Sequence, residues 1–279
     1  MRTYNFAMTI AGSDSGGCAG IQADLKTFSS LGVFGTSVIT ALTAQNTLEV
    51  KSIHTASTDI IREQIRAVLD DFKIDAIKTG MLFSPENIKA ISEELSNDIP
   101  LVIDPVIVAT SGNRLIMDQS VEYIKNYLYP IASLITPNLD ETSMLLGKEV
   151  RNLEEMKHAA KELVEKDGLE AALVKGGHLK ESIGSDRSID VFYSKEEDKP
   201  IIFETEMVDT KNTHGTGCTL SAAIAAYIAL GYGVKEAVEK SKDYIYNAII
   251  GSKDVYIANG AGAVDHFHNP KKLNIREIK

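Results

Sequence analysis

Two stretches of the sequence combine glycine with residues that can do chemistry. The stronger one is the run NTHGTGCT at positions 212–219, between a strand-like segment and a long helix of small residues. Glycines at 215 and 217 let backbone N–H groups converge on one point, and the positive end of the following helix suits a phosphoryl group. An ordinary glycine-rich helix start explains the same composition equally well. The run is therefore a candidate anion site.

A second glycine-rich turn, GSDSGGCAG at 12–20, also joins a predicted strand to a predicted helix. Gly12 and Gly17 have the spacing of a Walker A loop, but Cys18 stands where that loop requires lysine. The turn also lacks the GxGxxG pattern of dinucleotide-binding proteins. Both of these nucleotide-binding signatures are therefore excluded, and by itself the turn is more typical of a tight crossover than of a binding site.

Charged side chains follow several predicted strands. Asp104 ends one strand, and Glu141 lies in the run TPNLDE at 136–141. One or two carboxylates together with phosphate oxygens form a donor set that suits Mg²⁺. However, Asn138 and Glu141 also have the spacing of a helix capping box, which needs no metal. Lys175 ends another strand, where it can reach a phosphate or extend into solvent. These alternatives stay open at this level.

Composition and charge exclude several other classes of protein. The 279 residues include 29 Lys and Arg against 39 Asp and Glu, a formal net charge of −10. The chain lacks the basic runs typical of proteins that bind nucleic acid or membrane surfaces. We predict neither a secretory signal nor a transmembrane segment, and therefore expect a cytoplasmic protein. Cys18 and Cys218 are predicted to be reduced thiols, and no spacing of ligands suits zinc.

The alternation of strand and helix patterns predicts the fold class. Apolar and β-branched runs predict strands over 5–11, 33–44, 75–79, 100–104, 132–136 and 171–175, with a less regular hairpin over 188–208. Helical periodicity predicts helices near 21–31, 58–69, 84–95, 117–128, 138–145, 152–164, 215–228 and 234–250. Thr58 and Ser84 are predicted N-caps, and Asn152 with Glu155 resembles a capping box.

Repeated βαβ units imply a three-layer αβα architecture, with a mainly parallel sheet and helices on both of its faces. We find no linker or internal repeat, and therefore expect a single domain over residues 1–279. In such sheets ligands bind beyond the carboxyl ends of the strands. The glycine-rich runs and the charged residues described above fall at those ends.

Taken together, these runs resemble the hydroxymethylpyrimidine/phosphomethylpyrimidine kinase family of thiamine biosynthesis, within the ribokinase-like superfamily. The resemblance covers nearly the whole chain, through the runs TIAGSDSGGCAGIQADLKTFSSLGVFGTSVITALTAQNT, KTGML, DPVIVATSG, ITPNLDE, LVKGGH, NTHGTGCTLSAAIAA and HFH. It implies ATP-dependent phosphorylation of 4-amino-5-hydroxymethyl-2-methylpyrimidine, and then of its monophosphate to the diphosphate. It also implies Mg²⁺ and a homodimer.

The resemblance assigns a pyrimidine pocket to residues that are scattered along the chain. Gln45 would hydrogen-bond the aminopyrimidine, because its amide offers both a donor and an acceptor. Four further residues would complete the pocket: Gly12, Asp24, Met81 and Val108. Of these, Met81 and Val108 would supply apolar faces for the ring.

The same resemblance places the loop Gly215, Thr216, Gly217 and Cys218 under the transferring phosphoryl group. Cys218 is then the candidate base. A helix N-terminus favours the thiolate, and this is expected to bring the Cys218 pKa nearer the range useful for accepting a hydroxyl proton. Positioning is the alternative role, since phosphoryl transfer depends mainly on placement and electrostatic stabilisation.

The remaining residues implied by the resemblance would handle ATP and its metal. Lys175, Asn138 and Asn212 are assigned to the ATP phosphates, and Asp104 with Glu141 to Mg²⁺, largely through water. The resemblance implies glycine at the position of Cys18. The cysteine is therefore expected to affect the backbone path of the first glycine-rich turn.

Other functions also fit part of the pattern. Pyridoxal and pyridoxine kinases of the same fold act on a hydroxymethyl group carried by a flat nitrogen heterocycle. A sugar kinase is disfavoured because the expected pocket is an amide with apolar walls. A non-catalytic pyrimidine-binding protein is a further alternative, and the intact loop at 215–218 together with Lys175 argues against it.

Overall fold

The computed structural model describes residues 1–107, 119–177 and 187–277. The strands are β1 Arg2–Tyr4, β2 Phe6–Asp14, β3 Phe34–Gln45, β4 Val50–Thr55, β5 Ala76–Thr79, β6 Leu101–Ile103, β7 Leu134–Ile135, β8 Ala171–Lys175, β9 Arg187–Ser194, β10 Ile201–Glu206 and β11 Ile275–Glu277. Within the described residues, nine of them form one sheet in the order β10-β9-β8-β7-β6-β5-β2-β3-β4. β1 and β11 pair separately.

The centre of the large sheet is parallel. Strands β8, β7, β6, β5, β2 and β3 are joined by parallel ladders. Antiparallel pairing occurs toward both edges, between β3 and β4 on one side and along β8, β9 and β10 on the other. The predicted hairpin over 188–208 is therefore confirmed as β9 and β10. The carboxyl ends of the six parallel strands meet at one edge of the sheet.

The helices are α1 Gly20–Ser30, α2 Thr58–Leu69, α3 Pro85–Glu94, α4 Ser120–Tyr123, α5 Leu139–Leu146, α6 Leu153–Glu165, α7 Thr216–Ala229 and α8 Val234–Ser252. A π-helical stretch, Ile124–Leu128, extends α4, so the described part of the helix predicted over 117–128 is present in a modified form. No helix in the described ranges is long and apolar enough to cross a membrane.

Side chains along the buried strands alternate between two hydrophobic layers. In β6, Leu101 and Ile103 pack in the layer that contains α2, α3 and α6, whereas Val102 packs in the layer that contains α1, α7 and α8. In β8, Ala172 and Leu173 divide in the same way. Because successive side chains of a strand point to opposite faces, helices must cover both faces. The predicted three-layer αβα architecture is confirmed.

Helix α7 is the element that brings backbone N–H groups to the functional edge of the sheet. Between Thr219 and Ala229, all of its residues except Tyr227 are buried, and most of them are alanine or another small residue. A helix that is apolar on nearly all sides must be enclosed by the rest of the protein. Its N-terminus is therefore held in place by the packing of the whole element.

The local capping predictions were partly wrong. Ser84 caps α3 as predicted, but α2 is capped by Ser57, whose hydroxyl accepts from the Ile60 N–H, and not by Thr58. Asn152 caps α6, yet the Glu155 carboxylate accepts from the Arg151 N–H, so the box is not reciprocal.

Three strands were missed for identifiable reasons. Strand β4 is half exposed and has no continuous apolar run. The three-residue strands β1 and β11 pair across almost the full length of the chain, so neither has a local sequence signal.

Candidate active site

A cavity of about 550 Å³ opens at the carboxyl edge of the parallel strands. The ends of β2, β3, β5 and β8, the segments that follow β6 and β7, and the start of α7 all contribute residues to its wall. This is the position expected for ligand binding in an open α/β sheet. Candidate residues from distant parts of the chain therefore lie around one space.

The loop before α7 forms the anion-binding part of the cavity. Gly215 is the N-cap of α7 with a φ of 80°, and a Cβ on it would lie 1.9 Å from the Cys18 carbonyl oxygen. Only glycine fits there, because both the backbone conformation and the space exclude a side chain. The first helical hydrogen bond runs from the Thr219 N–H to the Gly215 carbonyl at 2.8 Å. The Gly217 and Cys218 N–H groups precede it and can bind an anion.

Lys175 lies directly beside this loop. Its Nζ is 3.0 Å from Asp104 Oδ1, and a Cβ on Gly217 would lie 3.3 Å from the same nitrogen. The Ser221 hydroxyl donates to the other Asp104 oxygen at 3.1 Å. Burial lowers the Lys175 pKa, but Asp104 and Glu141 outweigh it and raise the pKa overall. A largely enclosed ammonium group is therefore held at the start of α7.

Asp104 stays ionised for the matching reason. Burial raises the pKa of its carboxyl group. The ammonium groups of Lys175 and Lys78 lower that pKa by more than burial raises it, so the net pKa lies below its ordinary value. Asp104 thus provides a permanent negative charge at the cavity wall.

Glu141 fulfils the capping alternative that the sequence left open, and it also lies at the cavity wall. It forms a reciprocal capping box with Asn138, each side chain accepting from the other residue's N–H at 2.8 Å. Both residues also line the cavity. Burial raises the Glu141 pKa to about 7, with Lys175 opposing and Asp104 adding to the shift. Within the described ranges no group of three or more His, Cys, Asp or Glu side chains could hold a metal ion. A cation here would depend on Asp104 and Glu141 together with ligand oxygens.

A fully buried ion pair, which the sequence analysis missed, lies beneath the loop. Lys78 Nζ is 2.9 Å from both carboxylate oxygens of Asp24, and the Thr9 hydroxyl donates to the same carboxylate at 2.6 Å. Burial alone would lower the Lys78 pKa, but Asp24, Cys218 and Asp104 raise it overall. The available signal was a lysine inside the otherwise apolar strand β5, AIKT.

The expectation for the Cys218 thiol was wrong. Burial raises its pKa to about 11, with further increases from Asp104 and Asp24, while Lys78 and the Gly20 N–H oppose the change. The helix N-terminus was expected to stabilise the thiolate, but the removal of solvent from the thiol outweighs it. Cys218 is therefore a neutral thiol at pH 7.

Three residues assigned to the pyrimidine pocket, Gln45, Gly12 and Met81, line the cavity. A Cβ on Gly12 would lie 2.5 Å from the Met81 methyl group. The Thr40 hydroxyl donates to the Met81 carbonyl at 2.6 Å and holds this wall in position. The site thus combines an amide with an apolar surface.

Other assigned residues do not reach the cavity. Asp24 is fully buried beneath it, where its carboxylate is occupied by Lys78 and Thr9. The Asn212 amide donates to the carbonyls of Ser252 and Val255, at 2.5 and 2.8 Å, and so joins the loop to the end of α8. Val108 lies outside the described residues.

The first glycine-rich turn is organised by Asp14, another residue that sequence reasoning missed. Its carboxylate accepts from the N–H groups of Gly16, Cys18 and Ala19 at 2.8 to 2.9 Å. Cys18 takes part through its backbone N–H, and its buried thiol donates to the Gly16 carbonyl at 3.6 Å. The cysteine is thus accommodated within the turn.

Comparison with known proteins gives a consistent result. A family model described as phosphomethylpyrimidine kinase matches residues 14–265. A hydroxymethylpyrimidine/phosphomethylpyrimidine kinase from Rhizobium meliloti is 44% identical over 94% of this chain and 97% of its own length. A phosphomethylpyrimidine kinase structure from Clostridium difficile is 42% identical, covers 88% of this chain and 99% of its own, and has a TM-score of 0.75.

A pyridoxal kinase structure is also similar. The Staphylococcus aureus enzyme in complex with AMP-PCP and pyridoxal has a TM-score of 0.83 and 33% identity, covering 99% of this chain and 100% of its own. The backbone alone therefore does not separate the two substrate classes, whereas sequence identity is higher for the pyrimidine kinases.

The buried Lys78–Asp24 pair leads to a stability prediction. We expect Lys78→Met to lower the free energy of unfolding by about 3 to 5 kcal/mol, because it leaves the Asp24 carboxylate buried without a counter-ion. The double variant Lys78→Met/Asp24→Asn should recover much of this loss. Urea unfolding at pH 7 measures both. A loss of about 1 kcal/mol or less, typical of an exposed ion pair, would contradict the prediction.

Glu141 leads to a prediction about pH. Its pKa is raised in the folded protein, so between pH 4.5 and about 7 the unfolded chain loses a proton that the folded chain keeps. This makes the wild type progressively less stable as the pH rises through that range. Glu141→Gln removes the titration and can still accept from the Asn138 N–H. The variant's unfolding free energy should therefore gain about 3 kcal/mol relative to wild type between pH 4.5 and 7.5. A difference that does not change with pH would refute the assignment.

Proposed function

This chain belongs to the phosphomethylpyrimidine kinase family, and we propose that it transfers the γ-phosphoryl group of ATP to 4-amino-5-hydroxymethyl-2-methylpyrimidine and then to the resulting monophosphate. The product is the pyrimidine diphosphate used in thiamine biosynthesis. Both steps would use the same cavity, since the acceptor of the second step is the phosphate formed in the first.

The observation that carries this proposal is the closeness of Gln45 to the anion-binding loop. Gln45 Nε2 is 3.0 Å from the ring of His214, and His214 directly precedes Gly215. A ring held by the Gln45 amide and packed on Met81 would have its hydroxymethyl group near the N-terminus of α7. This arrangement supports recognition of an aminopyrimidine next to the point of phosphoryl transfer.

We propose that the transferring phosphoryl group binds the Gly217 and Cys218 N–H groups, with the Lys175 ammonium beside them. Phosphoryl transfer has a transition state whose charge is spread over the phosphoryl oxygens, so fixed positive groups stabilise it. Lys175 is already held by Asp104 at 3.0 Å and needs no large movement. The pair thus supports a site that is preorganised before the nucleotide binds.

Cys218 is proposed to act through its position. With its pKa raised to about 11, the thiol is a weak candidate for a base at neutral pH. Its backbone N–H faces the phosphoryl site, and the second step has an acceptor that is already ionised. A base is therefore not required for that step.

Asp104 and Glu141, with Asn138 beside them, would hold Mg²⁺ together with phosphate oxygens and water. The fit rests on two buried carboxylates at the cavity wall, a donor set that suits this ion when the ligand supplies further oxygens. When bound, Mg²⁺ neutralises charge on the phosphates. Ionised Asp104 and half-titrated Glu141 would orient it through direct or water-mediated contacts.

The far part of the cavity suits the nucleotide. Its wall includes the apolar side chains Val208, Ile245 and Ile249, and a buried ion pair between Lys242 and Asp190 at 2.6 Å. An apolar surface with a few fixed polar groups is typical of a nucleotide pocket. The roles earlier assigned to Asp24 and Asn212 become structural in this proposal, since their side chains are occupied by other residues of the protein.

We further propose that the chain acts as a single kinase domain in a cytoplasmic homodimer. One continuous sheet supports a single domain, because the described strands of both halves share it. Free thiols at Cys18 and Cys218 are compatible with a reducing compartment.

A pyridoxal kinase is the second candidate, favoured by the close structural similarity to the Staphylococcus aureus enzyme. Pyridoxal also carries a hydroxymethyl group on a flat ring, so the same phosphoryl site would serve it. The higher identity to pyrimidine kinases and the amide of Gln45 favour the pyrimidine.

Product mass separates these functions. Purified protein would be incubated with Mg-ATP and, in separate reactions, hydroxymethylpyrimidine, its monophosphate, pyridoxal and ribose. We expect mono- and diphosphate from the pyrimidine, diphosphate from the monophosphate, and little product from ribose. Phosphorylation of pyridoxal but not of hydroxymethylpyrimidine would identify the protein as a vitamin B6 kinase. Absence of every product would refute kinase activity.

Gly217→Asp tests the anion-binding loop. The new carboxylate would point toward Lys175, whose Nζ is 3.3 Å from the Cβ position, and would occupy the phosphoryl site with a negative charge. We expect turnover to fall by a factor of about 10³ or more. Pyrimidine binding, measured by calorimetry, should change by less than about threefold, since Gln45 and Met81 are untouched.

Gly217→Ala is the matched control for size without charge. It should lose much less activity than Gly217→Asp, because its methyl group meets only the movable end of Lys175. Equal loss of pyrimidine binding and turnover in Gly217→Asp would show that this loop does not hold the phosphoryl group.

A further inference from the structure

The first glycine-rich turn lies directly against Gln45, the residue proposed to recognise the pyrimidine. A Cβ on Gly16 would lie 3.2 Å from the Gln45 carbonyl oxygen and 3.3 Å from the Asn46 Cα. The turn carries neither of the two nucleotide-binding signatures. Its contact with Gln45 is therefore the best indication of its role.

Gln45 lies at the end of β3, where the pairing of the sheet becomes irregular. The ladder between β2 and β3 ends at the pair Asp14–Thr43, two residues before Gln45. The ladder between β3 and β4 shifts between Ala44 and Gln45, where β4 has one extra residue, Lys51. An irregularity of this kind redirects the side chains beside it. The direction of the Gln45 side chain therefore depends on what holds its backbone.

The Ser15 side chain holds that backbone through two hydrogen bonds. Its hydroxyl donates to the Gln45 carbonyl at 2.7 Å and accepts from the Gln45 N–H at 2.9 Å. Both directions are fixed, because a carbonyl only accepts, an N–H only donates, and a hydroxyl can do one of each. One side chain thus binds both backbone polar groups of Gln45. Ser15 thereby continues the contact between β2 and β3 beyond the end of their ladder.

Ser15 is itself held in place by its neighbours in the turn. The carboxylate of Asp14, which precedes it, accepts from the N–H of Gly16, which follows it, at 2.8 Å. The Asp14 N–H donates to the Gln22 amide oxygen at 2.8 Å, so α1 also fixes the turn. A serine side chain is short and has few rotamers, so a fixed backbone restricts its hydroxyl to a few positions.

We propose that Ser15 is a positioning residue for pyrimidine recognition, whose hydroxyl holds the Gln45 backbone so that the Gln45 side chain reaches the cavity. This inference rests on the proposed function. Gln45 lines the cavity, whereas Ser15 is exposed and does not line it, so Ser15 acts through Gln45. The first glycine-rich turn then acts as a frame for binding of the ring.

Ser15→Val and Ser15→Thr are a matched pair of variants, because valine and threonine have the same shape and differ in the hydroxyl. Ser15 is exposed and does not have a positive φ, so a β-branched side chain fits there. We expect Ser15→Val to lower kcat/KM for hydroxymethylpyrimidine about tenfold, mainly through KM, because two hydrogen bonds to Gln45 are lost. Ser15→Thr keeps the hydroxyl and should stay within about threefold of wild type. The KM for ATP should change by less than about twofold in both variants.

The Gln45→Ala background separates positioning from a general structural role. In that background Ser15→Val should lower kcat/KM by less than about twofold, because no amide remains to be positioned. Equal losses in both backgrounds, or equal losses for Ser15→Val and Ser15→Thr, would overturn the proposal.

Amide hydrogen exchange at pH 7 tests the contact without any turnover. The Gln45 N–H should exchange about tenfold faster in Ser15→Val than in Ser15→Thr, because its acceptor is lost. The Cys18 N–H, which Asp14 binds, is the control for an intact turn and should exchange equally in both. In the wild type the Gln45 N–H should exchange at least about tenfold more slowly than in an unstructured peptide. A lack of this protection would overturn the proposal even if a variant failed to fold.

Failure of the proposed function gives a different pattern. A wild type that phosphorylates pyridoxal but not the pyrimidine contradicts the function and removes the recognition role with it. Turnover of the pyrimidine together with an additive cycle contradicts only the role of Ser15.

Discussion

Charge pairing at the carboxyl edge of the sheet is the constraint on which the site depends. Lys78 is buried against Asp24, and the largely enclosed Lys175 is paired with the buried Asp104. Each ammonium would be strongly disfavoured without its carboxylate, and each carboxylate without its ammonium. The two pairs join elements from different parts of the chain. They therefore hold the floor of the cavity in a fixed position relative to the start of α7. A phosphate arriving at this edge meets positive groups that are already in place.

The same burial explains why the pKa values of individual side chains differ from those of the isolated groups. Cys218 lies at a helix N-terminus, yet removal of solvent raises the pKa of its thiol to about 11. Glu141 caps a helix, yet its pKa is raised to about 7 by burial. Asp104 is equally enclosed, but two ammonium groups keep its pKa low. Net charge within the cavity is therefore determined by pairing, and the arrangement suits phosphoryl transfer by positioning and electrostatics.

The residue proposed to recognise the substrate, Gln45, adjoins the proposed phosphoryl site through a short set of contacts. Gln45 ends β3, His214 precedes α7, and their side chains meet at 3.0 Å. Asp14 holds the first glycine-rich turn through three backbone N–H groups, and that turn presses its Cys18 carbonyl against Gly215. The two glycine-rich runs therefore form one structural unit. This explains why Gly215 admits no side chain.

The sequence by itself determined the layered architecture and part of the cavity wall. Strand and helix periodicity is local, and residues that follow parallel strands must meet at one edge, so Lys175 and the loop at 215–218 were predictable from the pattern. Gly12 and Gln45 were implied by the resemblance to the kinase family. Tertiary structure alone decided the rest. Lys78 became a buried counter-ion, and Asn212 became a link to α8. The Cys218 pKa changed in the direction opposite to that expected. Each of these outcomes depends on desolvation and on partners distant in the chain, and neither quantity is present in a local pattern of residues.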